Sequence, residues 1–258
     1  MLFKICFLSS LLFAAIYPLS FWISAKDPLK NNFHRFHLGL SCLVGGLCAI
    51  VYWASPTSIP DIKYSLVVWV VALLLVSAYN WPKVSPNPVA LTVVFVIALI
   101  AIIKILNSWM PVTPLGVIVT ILGGMIFSAS LFAMNLGHWY LNVHGLPIKH
   151  LQNATYVFWA LCGLRMALDV YLLATQNIML QGEPYNMLQF LTTIEGFLVV
   201  LAILFGTIFP LICLFFVKGT LDVRSTQSAT GILYAILCAV VIGDITYKYY
   251  FFKYGVVL

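Results

Sequence analysis

The sequence predicts an all-α fold: a polytopic transmembrane helix bundle of about eight spans, with both termini on the same side of the membrane. Three observations carry that expectation. The 258 residues are 63% hydrophobic and only 8% charged, whereas a soluble domain carries roughly 25% Asp, Glu, Lys and Arg to coat its surface. The mean hydropathy is +1.06. The apolar runs recur at lengths near the about 20 residues that a helix needs to cross the hydrocarbon core. Length then allows about eight spans with short loops, as one membrane domain over 1–258 with no room for a folded soluble domain.

The first span is expected at about 5–25. Lys4 precedes it as in a signal peptide, but Ile23-Ser24-Ala25 is a poor small-x-small cleavage site, so the run reads as a retained helix. The second, about 37–55, carries Ser41, Gly45 and Ala49 at i, i+4 spacing. Such a small-residue stripe lets a neighbouring backbone come close. The third, about 64–80, ends at Tyr79-Asn80-Trp81-Pro82, an interfacial aromatic anchor followed by a helix stop. A loop holding Pro82, Pro86 and Pro88 leads to the fourth at about 89–108. Pro111 and Pro114 open a long fifth at about 114–143. The sixth is expected at about 152–175. A polar loop through Glu183-Pro184 follows, and then a seventh at about 187–217, kinked near Pro210. The eighth runs over about 227–250.

Basic residues set the orientation. Lys26, Lys30, Arg35, Lys83, Lys149, Lys218 and Arg224 gather on one side; Lys4, Lys63, Lys248 and Lys253 gather on the other, with Lys104 just inside it. The positive-inside rule makes the first side cytoplasmic, placing both termini outside a bacterial inner membrane. The net charge of +6 is spread singly over loop ends. A nucleic-acid-binding face would be contiguous, so the expected partners are the lipid bilayer and other membrane subunits, not nucleic acid.

Cys6, Cys42, Cys48, Cys162, Cys213 and Cys238 all fall in apolar runs, without a CxxC pair or a Cys/His cluster at zinc spacing. They read as small buried hydrophobes, with no disulfide framework, iron–sulfur site or metal site implied.

The residues that could carry chemistry are the ionisable ones inside the spans. Asp169, Glu195 and Asp244 are each expected six to nine residues from one face, or about 10 Å deep at 1.5 Å per residue. Arg165 lies one turn before Asp169. Charges in hydrocarbon normally face the bundle interior, where they mark ion, proton or substrate paths. Arg165 with Asp169, and Asp244 with Lys248, stand at i, i+4 and also read as pairs that glue helices. Glu195 has no basic residue within its own helix turn and reads as a functional acid.

All five histidines, His34, His37, His138, His144 and His150, fall at the other ends of spans two and five or in the following loop. Haem b in a bundle takes two axial imidazoles from facing helices, and His37 and His138 stand at compatible depth, with His34 beside the first. The spacing of His138, His144 and His150 matches no metal motif. Arg224-Ser225-Thr226-Gln227-Ser228 opens the last helix, with serine or threonine as cap. Arg224 and the helix dipole would also suit a lipid phosphate, a carboxylate or a quinone carbonyl.

Two stretches, LGHWYL at 136–141 and RSTQSATGILY at 224–234, resemble segments of uncharacterised small bacterial eight-span membrane proteins. That likeness implies the span number and no activity. A looser similarity, in span number and buried polar residues alone, is to quinone-interacting membrane subunits of the NrfD/PsrC type.

Three functions stay open on these residues. The first is a quinone-interacting or haem b-binding subunit of a respiratory electron-transfer assembly, with His37 and His138 on the redox side. In it Arg165, Asp169, Glu195 and Asp244 form a proton path. The second is a small proton-coupled transporter with Glu195 and Asp169 as coupling carboxylates. The third is a non-catalytic scaffold, in which every polar group is interhelical glue.

Overall fold

A computed structural model of the chain describes residues 1–25, 29, 33–143, 145–180 and 183–256. The protein is all-α, and among the described residues eight helices are long and apolar enough to cross a membrane. The chain divides into two compact units, Phe7–Thr113 and Met1–Cys6 with Pro114–Leu258. His144, expected among the ligands, lies outside the described residues, as do Lys26 and Lys30.

The N-terminal unit holds four spans. Helix α1 (Leu2–Ile16) passes into a 3-10 segment at Tyr17–Ser24. The change falls at Pro18, where the ring removes a backbone N–H and clashes with the preceding turn. Helices α2 (Phe33–Ala54), α3 (Pro60–Asn80) and α4 (Pro88–Trp109) follow as neighbours in sequence. The small-residue face of α2 is occupied. A methyl on Gly45 would stand 3.1 Å from the Trp69 ring of α3 and 3.6 Å from Ala14. Asn80 stitches the proline-rich turn: its side-chain oxygen accepts from the Asn87 N–H at 2.8 Å. Asn87 in turn accepts from the N–H groups of Val89 and Ala90, capping α4.

The C-terminal unit is built around α10 (Thr226–Tyr254), which packs on α5 (Pro114–Asn142), α8 (Ile194–Ile203) and α9 (Phe209–Asp222). Helix α6 (Lys149–Thr175) packs on α5 and α9. The loop expected through Glu183 is in part a hairpin, with β1 (Asn177–Leu180) antiparallel to β2 (Glu183–Asn186).

The seventh span differs from the expected 187–217. Met187–Leu191 is a separate short helix, α7, opened by a capping box between Asn186 and Gln189. The spanning helix starts only at Ile194, where the Thr193 hydroxyl accepts from the Gly196 N–H at 3.0 Å. Near Pro210, where a kink is expected, the span is not a continuous α-helix. One π-helical turn, Leu204–Ile208, stands just before the proline and absorbs the hydrogen bond that proline cannot make.

That turn faces α10 at a point of backbone contact. A Cβ added to Gly243 would lie 2.2 Å from the Gly206 Cα, so neither position accommodates a side chain. The two glycines let the helices cross close enough for their polar side chains to meet.

The cysteines also depart in part from expectation. Cys48 and Cys162 are buried, whereas Cys6 and Cys238 are exposed on their helices. Large apolar side chains cover much of the outer surface, Phe215, Phe216 and Ile212 on α9 among them, as suits lipid contact.

Candidate functional site: a buried four-charge cluster

Three sequence-predicted residues come together in the core of the C-terminal unit. Arg165 and Asp169 on α6 are 2% and 1% exposed, and Arg165 Nε donates to Asp169 Oδ1 at 2.8 Å. The other carboxylate oxygen, Oδ2, accepts from the Thr207 hydroxyl and from the Tyr247 hydroxyl, both at 2.8 Å. Thr207 and Tyr247 lie 3.0 Å apart. The Arg165 guanidinium sits 3.8 Å from the centroid of the Tyr247 ring, a cation–π contact strengthened by desolvation. One carboxylate thus ties three helical segments together.

The second pair stands beside the first. Lys248 donates to both oxygens of Asp244. Both residues are buried, at 6% and 9% exposed. Asp244 stands ten residues before the end of α10 at Tyr254, about 15 Å at helical rise. A methyl on Gly123 of α5 would come within 3.3 Å of Asp244 Oδ1 and 3.8 Å of an Arg165 guanidinium nitrogen. Both ion pairs therefore border the same glycine. Two cations and two carboxylates give the cluster no net formal charge, which limits the cost of holding four ionised groups away from water.

A small cavity adjoins the cluster, lined by Gly123, Thr120, Arg165, Asp244, Tyr247 and Lys248, with a volume of about 20 Å³. A second, of about 10 Å³, touches Gly123, Arg165, Asp244 and Tyr247 and extends toward Gly206. About 10–15 Å³ on this measure accommodates one water molecule. The space at the cluster is thus of water size.

Glu195 does not join the cluster. Its side chain is exposed in the first turn of α8, and its backbone carbonyl accepts from the Tyr250 hydroxyl. The expected depth came from starting the helix at about 187. With the start at Ile194 the carboxylate sits at a helix N-terminus, where the dipole favours it. Arg224 is exposed too, in a left-handed conformation (φ 57°) that ends α9. Ser225 precedes α10, but its hydroxyl donates to the Ser228 hydroxyl at 2.9 Å and caps no backbone N–H.

The histidines are divided between the units. His37 is 3% exposed in the N-terminal unit, its Nδ1 2.7 Å from the Tyr17 hydroxyl and its ring 4.0 Å from that of Phe33. His34 is equally buried, one turn earlier on α2. His138 belongs to the C-terminal unit and is exposed on α5, its Nδ1 3.4 Å from the Tyr234 hydroxyl. Among the described residues, no three His, Cys, Asp or Glu side chains converge as a metal site.

Thr207 and Tyr247 are the members of the cluster that sequence reading missed. Tyr247 lies three residues after Asp244, on the same helix face. Thr207 is a lone hydroxyl within an apolar span, next to the glycine of the helix crossing. No family model, curated protein or solved structure matches the chain.

Proposed function

We propose that this chain is a proton-transferring membrane protein, the proton-path subunit of an electron-transfer assembly in a bacterial inner membrane. The supporting observation is the buried Arg165–Asp169–Thr207–Tyr247 network beside Asp244 and Lys248. Ionisable groups at this depth are costly and mark conduction paths. The accompanying space is of water size, which favours proton movement over passage of a solute. Asp169 is the central acceptor, Tyr247 and Thr207 are the hydroxyls that pass a proton to it, and Arg165 holds the carboxylate in place.

The test is proton uptake into vesicles of the purified protein carrying a trapped pH dye, driven by a potassium diffusion potential. Wild type acidifies the lumen and Asp169→Asn does not. Equal rates in both would refute the reading, because the amide keeps the shape and loses the basic carboxylate that takes up the proton.

One further feature favours a quinone as redox partner. An apolar groove of about 390 Å³ runs along α10 past Ile245, Thr246 and Tyr249, with Leu2, Ile5 and Leu198 opposite. It shares α10 with the charge cluster, and its walls suit an isoprenoid tail, with a hydroxyl on hand for the ring carbonyl. Solvent extraction of the purified protein is expected to yield a quinone that Ile245→Trp depletes. A reduced-minus-oxidised spectrum separates this reading from haem b on His37 or His138. The basic loops at Lys83, Lys149, Lys218 and Arg224 support a cytoplasmic placement for that side and an outside placement for both termini. Labelling of Cys6, exposed on its helix, by an impermeant thiol reagent on intact cells checks it.

A further inference from the structure

The hydrogen-bond inventory of the cluster leaves one strong donor over. Arg165 Nη2 is buried and, among the described residues, has no hydrogen-bond partner. An unsatisfied guanidinium nitrogen inside a bundle is costly, and buried polar groups nearly always find protein or water. Arg165 lines both small cavities, and the larger has room for one water. Both also touch Gly123, Asp244 and Tyr247. The vacant donor and the small cavity thus belong to the same side chain.

We propose that a structural water occupies this cavity, accepts a hydrogen bond from Arg165 Nη2, and donates to Asp244, joining the two ion pairs into one relay. The inference rests on the proton-transfer reading and deepens it by naming the missing link. A proton that the Lys248 ammonium hands to Asp244 passes on to the water as their hydrogen bond reverses, and the water releases one of its own to the Tyr247 oxygen as Tyr247 gives its hydroxyl proton to Asp169. Each group takes one proton and passes one on, so no other reactant is needed. Release of the proton from Asp169 to one side and reprotonation of Lys248 from the other reset the chain.

Gly123 is the residue that keeps this space open. Its missing Cβ would stand 3.3 Å from Asp244 Oδ1, against the cavity wall. Alanine puts an inert methyl there, whereas serine adds a hydroxyl that can replace the water oxygen as donor and acceptor.

The vesicle assay is run on wild type, Gly123→Ala, Gly123→Ser and Asp169→Asn, each checked for unchanged helicity and a single gel-filtration peak. Gly123→Ala is expected to lower proton uptake at least about tenfold, and Gly123→Ser to recover a substantial part of it. Wild-type uptake in Gly123→Ala overturns the water link, and a dead Asp169→Asn beside it leaves the proton-transfer reading standing. Equal uptake in wild type and Asp169→Asn overturns both. If alanine and serine both abolish uptake, a high-resolution density map of the wild type decides. A peak within hydrogen-bond distance of Arg165 Nη2 supports the water, and an empty cavity refutes it.

Discussion

The two units bury polar groups in opposite ways. In the N-terminal unit, His37 is enclosed by Phe33, Phe36 and Tyr17, with one ring nitrogen hydrogen-bonded to the tyrosine hydroxyl. The C-terminal unit buries two cations and two carboxylates on α6 and α10, cross-linked through Thr207 and Tyr247. The aromatic box around the His37 imidazole encloses a hydrogen-bonded ring and fixes a packing. A four-charge cluster is expensive to bury, and apolar residues of equal volume would often serve stability as well or better. On the proposed reading, the charged unit carries this cost for proton transfer, which apolar packing cannot perform.

The largest expected effect comes from breaking the first ion pair on one side. Asp169→Ala strands the Arg165 guanidinium in the core and is predicted to cost about 3–5 kcal/mol, read by chemical denaturation in mixed micelles. The double variant Arg165→Met, Asp169→Leu is predicted to recover most of that stability while remaining inactive in proton uptake. Full activity in the double variant would turn the contrast between the units into one of packing alone.

The next effect is steric. Gly243→Ala places a methyl 2.2 Å from the Gly206 Cα, forcing α10 away from the π-turn at a cost of about 1–3 kcal/mol. Proton uptake is predicted to fall with it, since Thr207 and Tyr247 sit on either side of that crossing. Gly39, with no atom near its absent side chain, is the matched control in the other unit.

Single hydrogen bonds come third. Thr207→Val and Tyr17→Phe each remove one hydroxyl, at about 1 kcal/mol apiece, one from each unit. The account predicts similar losses of stability but a loss of proton uptake only for Thr207→Val. The smallest effect is Glu195→Gln. An exposed first-turn carboxylate is expected to change stability by less than about 0.5 kcal/mol, with uptake unchanged.

These residues also mark what could be read without coordinates. The eight apolar spans and the all-α class follow from hydrophobic run length, which lipid enforces residue by residue. The pairings Arg165–Asp169 and Asp244–Lys248 were legible because i, i+4 places side chains on one face of any helix. That the two pairs adjoin one glycine was not legible, because depth follows from sequence position whereas azimuth depends on how helices pack. Thr207 reaches Asp169 only because a π-turn and two glycines draw the backbones together, and neither leaves a periodic signal. The misplaced Glu195 had a readable cause. Asn186 with Gln189 is a capping-box spacing, and Thr193 is a second cap, so two helix starts were written where one span was expected.

The most direct test of the central claim is the proton-uptake rate of wild type against Asp169→Asn in sealed vesicles. The account predicts dye acidification by wild type under an inward-directed potential and a rate at the empty-vesicle baseline for the variant. Equal rates in a folded Asp169→Asn would contradict it and leave the buried charges as interhelical glue.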